Sequence, residues 1–225
     1  MEIIKGIENF KRSFRNPVVT LGNFDGVHLG HQQIFKRVKQ EASKIHGEGM
    51  VITFEPHPLK VLVPEKFFPL LTPFRKKMIL IEKSGIETVL CIDFSLAFSE
   101  LTPFEFIKNI LVEKVKVKKV IIGYNYHFGK GQKGDAQTLK DTGKLFDFEV
   151  EVVEPLKVAQ TIVSSSKIRD LIQSGEVEEA SILLGRDYPV IGKVVEGAKR
   201  GQTLGFPFPA CSGEKVGFSP TLARP

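Results

Sequence analysis

The stretch that decides the fold is Val18-Val19-Thr20-Leu21-Gly22-Asn23-Phe24-Asp25-Gly26-Val27-His28-Leu29-Gly30-His31. Its apolar, β-branched start predicts a buried strand, and a helical pattern follows at residues 31–45. The glycines between them allow a tight turn and the close approach of a bulky ligand. The free N–H groups and the positive dipole of a helix N-terminus attract anions. The stretch therefore predicts an anion-binding turn between a strand and a helix.

The alternation of strand and helix extends through the first two thirds of the chain. Strand-like runs occupy residues 18–21, 50–54, 88–92, 119–122 and 148–153, and helical patterns occupy 31–45, 73–83, 103–114 and 135–143. Thr72-Pro73 and Thr102-Pro103 each place a capping hydroxyl before a helix-opening proline. We therefore expect an α/β fold, a doubly wound parallel sheet with helices on both faces and ligands at the carboxyl ends of the strands.

Beyond Ser164 the pattern changes to two short helices, at residues 165–174 and 177–184, and then to a strand-like run from Tyr188 to Val195. Residues after Gly201 are rich in Gly, Pro and Ser. We predict one large domain at 1–186 and an incomplete β segment at 187–225.

Composition narrows the class of partner. The net charge of +6 suits a phosphate-rich small molecule or a nucleic acid. No aromatic-and-basic stripe or zinc-finger spacing supports nucleic acid, so we expect small-molecule substrates. The opening residues lack the apolar core that a signal peptide would have, and no apolar run approaches the ~20 residues that span a bilayer. We expect a cytoplasmic protein with no membrane partner, of unknown oligomeric state.

His28 and His31 are the first candidate catalytic residues. Because they are three positions apart at a helix start, both imidazoles can face the same side. Two imidazole donors above a phosphate-binding turn can stabilise the charge of a phosphoryl-transfer transition state. Two alternatives are histidines that only satisfy backbone groups, and a metal site. Zinc is poorly supported, because no Cys or carboxylate partners lie nearby.

The residues around this pair resemble a known family. Gly22 to Gln32 is similar to the bacterial bifunctional riboflavin kinase/FAD synthetase family, and His28-Leu29-Gly30-His31 matches the H-x-G-H signature of nucleotidyltransferases. The resemblance implies a Rossmann-like nucleotidyltransferase fold. It also implies catalytic roles for the two histidines, and it assigns the backbone around them to ATP: Gly22, Phe24, Asp25 and Gly26.

A second signature lies at Val163-Ser164-Ser165-Ser166-Lys167-Ile168-Arg169, which resembles the family's S-[ST]-x-x-[IV]-R motif. The hydroxyls of Ser165 and Ser166 can cap the next helix and reach phosphate oxygens. Arg169 can bind pyrophosphate with its planar fork of donors and is our third catalytic candidate. The alternative is an ordinary serine N-cap beside a solvated arginine.

Two further loops are expected at the flavin. The family carries a Pro-His-Pro loop beside its flavin site, matched here by Pro56-His57-Pro58, and Asn23 is assigned to the same site. The loop that begins at Gly123 resembles one bordering ATP and flavin, which implies contacts from Asn125 with both. Its change from the family's Asp makes a metal-ligand role doubtful, and we expect no protein metal site. Phe128 can stack on an isoalloxazine ring, with Phe106 as a second apolar wall.

One apparent motif is rejected. Gly129 to Gly134 matches G-x-G-x-x-G, but it does not follow a strand directly and has no suitably placed acidic residue downstream. It is therefore not a dinucleotide fingerprint.

The resemblance, which covers roughly residues 16–207, is lost near the C-terminus. Family members continue into a riboflavin kinase module, a small β-barrel whose start resembles Ile191–Gly197 and Arg200–Pro207. The family then reads Pro-Thr-Ala-Asn, where this chain has Pro207-Phe208-Pro209-Ala210. The Thr and Asn that help to bind Mg-ATP are absent. We expect a truncated module and loss of riboflavin kinase activity.

The resemblance implies an FMN adenylyltransferase, which makes FAD and pyrophosphate from FMN and ATP. Mg²⁺ accompanies ATP and is held more by phosphates than by protein. Two alternatives remain open: a nucleotidyltransferase with another phosphorylated acceptor, and an inactive flavin- or nucleotide-binding remnant.

Overall fold

A computed structural model describes residues 1–189, 192–195 and 210–213 of the chain. Its central sheet has six strands: β1 (Glu2–Lys5), β2 (Val18–Leu21), β3 (Gly49–Glu55), β4 (Thr88–Asp93), β5 (Lys119–Gly123) and β6 (Glu149–Val153). They lie in the order β1-β4-β3-β2-β5-β6, and every neighbouring pair is parallel. The predicted doubly wound parallel sheet is confirmed.

Helices cover both faces of the sheet. They are α1 (Leu29–Lys44), α2 (Pro58–Leu62), α3 (Phe74–Lys83), α4 (Leu96–Ser99), α5 (Pro103–Glu105), α6 (Ala136–Phe146), α7 (Ser165–Ser174) and α8 (Val177–Leu184). A π-helix (Phe106–Val115) continues α5 directly. The middle of β2 is fully buried, because a strand covered on both faces reads as a continuous apolar run.

Alternate residues of β2 feed two separate cores. Val19 and Leu21 belong to the cluster that contains the apolar residues of the π-helix. Val18 belongs to the opposite cluster, with Phe35 of α1 and Ile81 of α3. This alternation follows from the period of two in a strand. A third cluster joins α7 and α8.

The strand order fixes where a ligand can bind. From β2 the chain moves outward through β3 and β4, and then returns to the other side of β2 with β5 and β6. The carboxyl ends of β2 and β5 are therefore neighbours at the topological switch point, where open α/β sheets hold their ligands.

Only one of the two predicted threonine caps is correct. Thr102 Oγ1 accepts from Glu105 N at 3.2 Å, and the Glu105 carboxylate accepts from Thr102 N, which completes a capping box. At the other helix the N-cap is Pro73, with no side-chain cap. The backbone N–H of Thr72 donates instead to the Asp25 carboxylate, 47 residues away.

Several elements were not predicted. β1 pairs with the edge of β4 through Glu2 and Thr88, but it is too short to show a periodic pattern. A small antiparallel hairpin joins β7 (Lys157–Val158) to β8 (Thr161–Ile162). Its turn residues, Ala159 and Gln160, both have positive φ, a conformation that Gly, Asn and Asp normally signal in a sequence.

At the C-terminus, β9 (Gly192–Val195) pairs antiparallel with β10 (Ala210–Gly213). Of the strand predicted from residue 188, residues 188–189 are not in a strand, residues 190–191 lie outside the described residues, and Gly192–Val195 form β9. Residues 207–209, on which the kinase comparison depends, lie outside the described residues. The domain boundary after residue 186 stays a prediction. Within the described ranges, no helix combines the length and apolar character that crossing a bilayer requires.

Candidate active site

A cavity of about 790 Å³ opens at the switch point. Its lining comes from the loops after β2, β3, β4 and β5 and from the start of α7. The predicted site residues that line it are Gly22, Asn23, Phe24, Asp25, His31, His57, Pro58, Phe106, Asn125, Phe128, Ser165, Ser166 and Arg169. The other predicted site residues, Gly26, His28 and Pro56, are not part of this lining. The roles of all these residues in binding and catalysis stay predictions.

The turn after β2 is closed by the ring of Phe24. A Cβ on Gly22 would lie 2.9 Å from Cζ of Phe24, so only glycine allows the ring to fold back here. Phe24 itself has a φ of 50° and is buried against Phe35, with ring centroids 4.9 Å apart. A left-handed conformation at a non-glycine residue persists only where its surroundings enforce it.

His28 and His31 are brought together as predicted. Their rings stack with centroids 3.5 Å apart and planes 19° apart. Nδ1 of His28 accepts the backbone N–H of His31 at 3.3 Å, which makes His28 the N-cap of α1. This acceptor role places the proton of a neutral His28 on Nε2. His31 reaches the cavity, with His28 stacked on it.

Both imidazoles are neutral at physiological pH. Burial, followed by the charge of Arg186, lowers the pKa of His28 to about 4. Burial also lowers the pKa of His31 well below its usual value, assisted by His28 and Lys77. Each ring can therefore donate one hydrogen bond to an anionic oxygen.

Asp25 and Arg169 form a buried ion pair. Nη2 of Arg169 donates to Asp25 Oδ2 at 2.7 Å, and both side chains are largely shielded from solvent. The Asp25 carboxylate also accepts the backbone N–H groups of Leu71 and Thr72, at 3.1 and 3.0 Å. One carboxylate thus joins the turn after β2, the segment before α3, and α7.

The Arg169 side chain is held on two further sides, so it is not the solvated arginine of the alternative interpretation. Its Nε donates to the carbonyl of Pro69 at 3.0 Å, and its guanidinium lies 4.3 Å from the ring centroid of Phe68. Within the described part of the chain, Nη1 is left without a hydrogen-bond acceptor. That group is available to a ligand in the cavity.

The serines of the second signature divide their roles differently from the prediction. Ser164, rather than Ser165 or Ser166, caps α7 by accepting from Lys167 N at 3.2 Å. Ser165 Oγ donates to the backbone carbonyl of Asp25 at 2.8 Å, which ties α7 to the turn after β2. Ser166 is exposed at the cavity.

The other end of the cavity has an aromatic wall. Phe106 and Phe128 have ring centroids 5.5 Å apart, and both are buried. Phe54, Phe94 and Phe98, which were not predicted, extend the wall. Aromatic rings at such separations offer a flat apolar ligand offset or edge contacts.

His57 borders the cavity at the start of α2, beside Phe68, whose ring also contacts the Arg169 guanidinium. Its Nδ1 accepts from Leu59 N at 3.2 Å and caps the helix, and its ring lies 4.8 Å from that of Phe68. Burial lowers the pKa of His57 to about 4, so this imidazole is also neutral.

Sequence reasoning missed two cations, the buried Lys77 and the partly buried Arg186. Nζ of Lys77 donates to the carbonyl of Asn23 and to Thr53 Oγ1, each at 3.2 Å. Arg186 donates to the carbonyls of Gly26 and Val27. Lys77 occupies the buried, apolar face of α3, beside Met78 and Ile81. A lysine at a position where the sequence pattern predicts burial could have been recognised as a candidate site residue. Arg186 follows a helix stop and carried no comparable signal.

The described residues contain no group of three or more His, Cys, Asp or Glu placed to hold a metal ion. The nearest carboxylate to the turn, Asp25, is already engaged by Arg169 and two backbone N–H groups.

A parallel sheet with an H-x-G-H turn at its switch point defines an α/β nucleotidyltransferase-type domain. Comparison with known families makes this specific: the FAD synthetase family model matches residues 10–167, and the chain belongs to that family. The resemblance found in the sequence is confirmed.

Curated relatives extend the match. Bifunctional riboflavin kinase/FMN adenylyltransferases are 37% identical in Buchnera aphidicola (Acyrthosiphon pisum), 33% in Escherichia coli K12 and 42% in Listeria monocytogenes. The matches cover 92%, 92% and 85% of this chain, and 66%, 66% and 61% of those proteins. The chain thus spans about two thirds of the length of these relatives.

A solved structure from Streptococcus pneumoniae, described as a macrolide-efflux protein, has a similar fold. It is 31% identical, with a TM-score of 0.85 over 96% of this chain and 70% of that one. The similarity supports the arrangement of sheet and helices described above.

Proposed function

We propose that this chain is an FMN adenylyltransferase, which transfers AMP from ATP to FMN and releases pyrophosphate. The observation that carries the proposal is the stacked His28–His31 pair at the start of α1, with His31 facing a cavity that also has an aromatic wall. Membership of the FAD synthetase family supports the same activity.

The reaction needs positioning more than it needs a base. A phosphate oxygen of FMN attacks the α-phosphorus of ATP in line, and the bond from that phosphorus to the bridging oxygen of pyrophosphate breaks. The attacking phosphate is already anionic, so no proton must be removed first. Aligning the two substrates and stabilising the charge that spreads over the α-phosphate supply the rate enhancement.

The ATP end is formed by the turn after β2 and by α7. Neutral His31 on the cavity wall, and His28 stacked behind it, supply the donors for the α-phosphate and the leaving group, with the amides of Gly22 to Gly26 beneath the nucleotide. The Ser166 hydroxyl and the remaining Nη1 of Arg169 hold the β- and γ-phosphates. Ser165, whose hydroxyl is engaged by the Asp25 carbonyl, contributes its backbone N–H at the start of α7. Asn125 offers an amide at the border between the two substrates.

The flavin end is formed by the aromatic wall and the Pro-His-Pro loop. Phe106 and Phe128 face the isoalloxazine ring, with His57, Pro58 and Asn23 around it. Mg²⁺ enters as part of Mg-ATP and is held mainly by phosphate oxygens. A cytoplasmic location, where ATP and FMN are available, belongs to the same proposal.

The test is chromatography of the products made by the purified chain with Mg-ATP, with FMN in one reaction and riboflavin in another. We expect FAD from FMN and no product from riboflavin. FMN or FAD from riboflavin would overturn the expected loss of kinase activity. No product in either reaction would instead favour another acceptor or an inactive remnant.

Three asparagine variants test the histidine roles. His28→Asn and His31→Asn should each lower kcat by about 100-fold or more, because each removes a donor aimed at developing charge. Asparagine at residue 28 keeps an acceptor for the helix cap, so the fold is retained. His46→Asn is the matched control, since His46 is exposed beyond the far end of α1. Unchanged turnover in both site variants would remove the role given to the pair.

A further inference from the structure

The turn that carries His28 has an unfavourable backbone. Phe24, Gly26 and Val27 all have positive φ, at 50°, 87° and 42°. For a β-branched residue such as Val27 this conformation is a true outlier and is energetically unfavourable. It is maintained only if contacts from outside the turn hold each peptide in place.

Those contacts are made to the carbonyl groups of the turn. Arg186 donates through Nη2 to the carbonyl of Gly26 and through Nη1 to that of Val27, at 3.1 Å for the latter. Nη1 also donates to the carbonyl of Leu184 at 3.2 Å, which fixes the side chain at the end of α8. Gln32 supports the same site, because its Nε2 donates to the carbonyls of Val27 and Leu184 at 3.0 and 3.1 Å.

The Arg186 side chain is partly buried, and its guanidinium has no carboxylate partner within 4 Å among the described residues. It lies close enough to His28 to help lower the pKa of that imidazole. Burial lowers the pKa of Arg186 itself, but an arginine stays charged at neutral pH. A structural link between two segments needs only hydrogen bonds, whereas an uncompensated cation also favours a polyanion.

We propose that Arg186 is a positioning residue for the ATP end of the cavity, acting through the carbonyls of Gly26 and Val27. It holds the peptide units that precede His28, and thereby the N-terminus of α1 and the stacked imidazoles. Its charge adds positive potential where the ATP phosphates bind. The inference rests on the proposed function, and it names a residue that touches neither substrate.

Nucleotide binding tests the inference without turnover. The full chain is titrated by calorimetry with the magnesium complex of α,β-methylene ATP, which cannot transfer AMP, and separately with FMN. Arg186→Gln should weaken binding of the ATP analogue by about tenfold or more, the loss expected when hydrogen bonds from a charged donor disappear. FMN binding should change by less than about twofold, since the aromatic wall is untouched.

Two more variants separate charge from geometry. Arg186→Lys keeps the charge but cannot span both carbonyls with a rigid fork, so it should recover part of the lost affinity. Gln32→Leu removes the second donor to the Val27 carbonyl. It should also weaken binding of the ATP analogue, by a smaller factor than Arg186→Gln does. Arg37→Gln is the control, because Arg37 lies on α1 and pairs with Glu41 and Glu151, away from the cavity.

The inference is overturned if folded Arg186→Gln binds the analogue as tightly as the unmodified chain, or if both ligands weaken equally. If Arg186→Gln does not fold, normal analogue binding by both Arg186→Lys and Gln32→Leu overturns it. If the unmodified chain binds the analogue but makes no FAD, and Arg186→Gln weakens that binding, the proposed function is refuted and the inference on Arg186 is supported. A chain that binds no nucleotide refutes both.

Discussion

Replacing Asp25 with alanine should destabilise the whole domain, not only the proposed ATP site. The Asp25 carboxylate lies 2.7 Å from Arg169 Nη2 and accepts the N–H groups of Leu71 and Thr72. Its side chain is 4% exposed and that of Arg169 is 11% exposed. Asp25→Ala therefore leaves a buried guanidinium without its counter-charge and two backbone donors without an acceptor.

The expected loss is about 4 kcal/mol. Removing one partner of a buried ion pair costs roughly 3–5 kcal/mol, because the remaining charge stays desolvated. Each orphaned N–H adds roughly 1–3 kcal/mol where it cannot reach water. These contributions overlap, since one local rearrangement can relieve all three groups. The expected loss in the free energy of unfolding therefore lies within the range for a broken ion pair, below the sum of the three contributions.

Guanidinium unfolding of the full chain at pH 7.5 measures this loss. The chain has no tryptophan, so far-UV circular dichroism follows the transition. Asp170→Ala is the matched control: it is exposed, on α7, next to Arg169, and should change the free energy of unfolding by no more than about 0.5 kcal/mol. A loss below about 1 kcal/mol for Asp25→Ala, with an unchanged m-value, would show that this carboxylate does not hold the three segments together.

Two further predictions concern acid stability and backbone strain. Burial lowers the pKa of His57 from 6.5 to about 4 in the folded chain. As the pH falls from 6.5 to 4, the unfolded state therefore binds the proton before the folded state does, and the free energy of unfolding decreases. His57→Asn keeps the cap of α2. In denaturant unfolding it should reduce the stability lost between pH 7.5 and pH 5 by about 2 kcal/mol. Identical pH profiles for the variant and the unmodified chain would argue against a buried neutral imidazole. Gly129 has a φ of 71°, and a Cβ there would lie 2.7 Å from the backbone nitrogen of Pro103, so Gly129→Ala should cost at least about 2 kcal/mol. Gly131→Ala, also at positive φ but 3.9 Å from the nearest side-chain atoms, should cost only about 1 kcal/mol, and equal losses would contradict the clash.

The parts of the site that sequence reasoning predicted depend on local geometry. His28 and His31 lie one turn apart on α1, so their spacing alone places them together. The sheet could also be predicted from the sequence, because apolar runs such as Val18–Leu21 are typical of strands buried on both faces.

The parts that were missed depend on contacts between distant segments. Asp25 and Arg169 are 144 positions apart, and neither residue type signals that one will neutralise the other. Thr72 resembles a helix cap in the sequence, but its N–H is taken by Asp25 and α3 begins without a side-chain cap. Ser164 caps α7 in preference to Ser165, because Ser165 is drawn to the carbonyl of Asp25. In each case tertiary contacts override a local preference.

The tie between Arg186 and the turn after β2 also has a consequence for synthesis on the ribosome. The turn is among the first segments to be made, whereas the donor to the Gly26 carbonyl is made 160 residues later. The chain leaves the ribosome N-terminus first, and a domain begins to fold as it emerges. A contact between distant segments forms only after both segments have been made. All six strands and the aromatic wall precede residue 154. A nascent chain can thus complete its sheet and its aromatic wall while the turn after β2 still lacks Arg169 and Arg186, so the part of the cavity proposed to hold ATP is completed last.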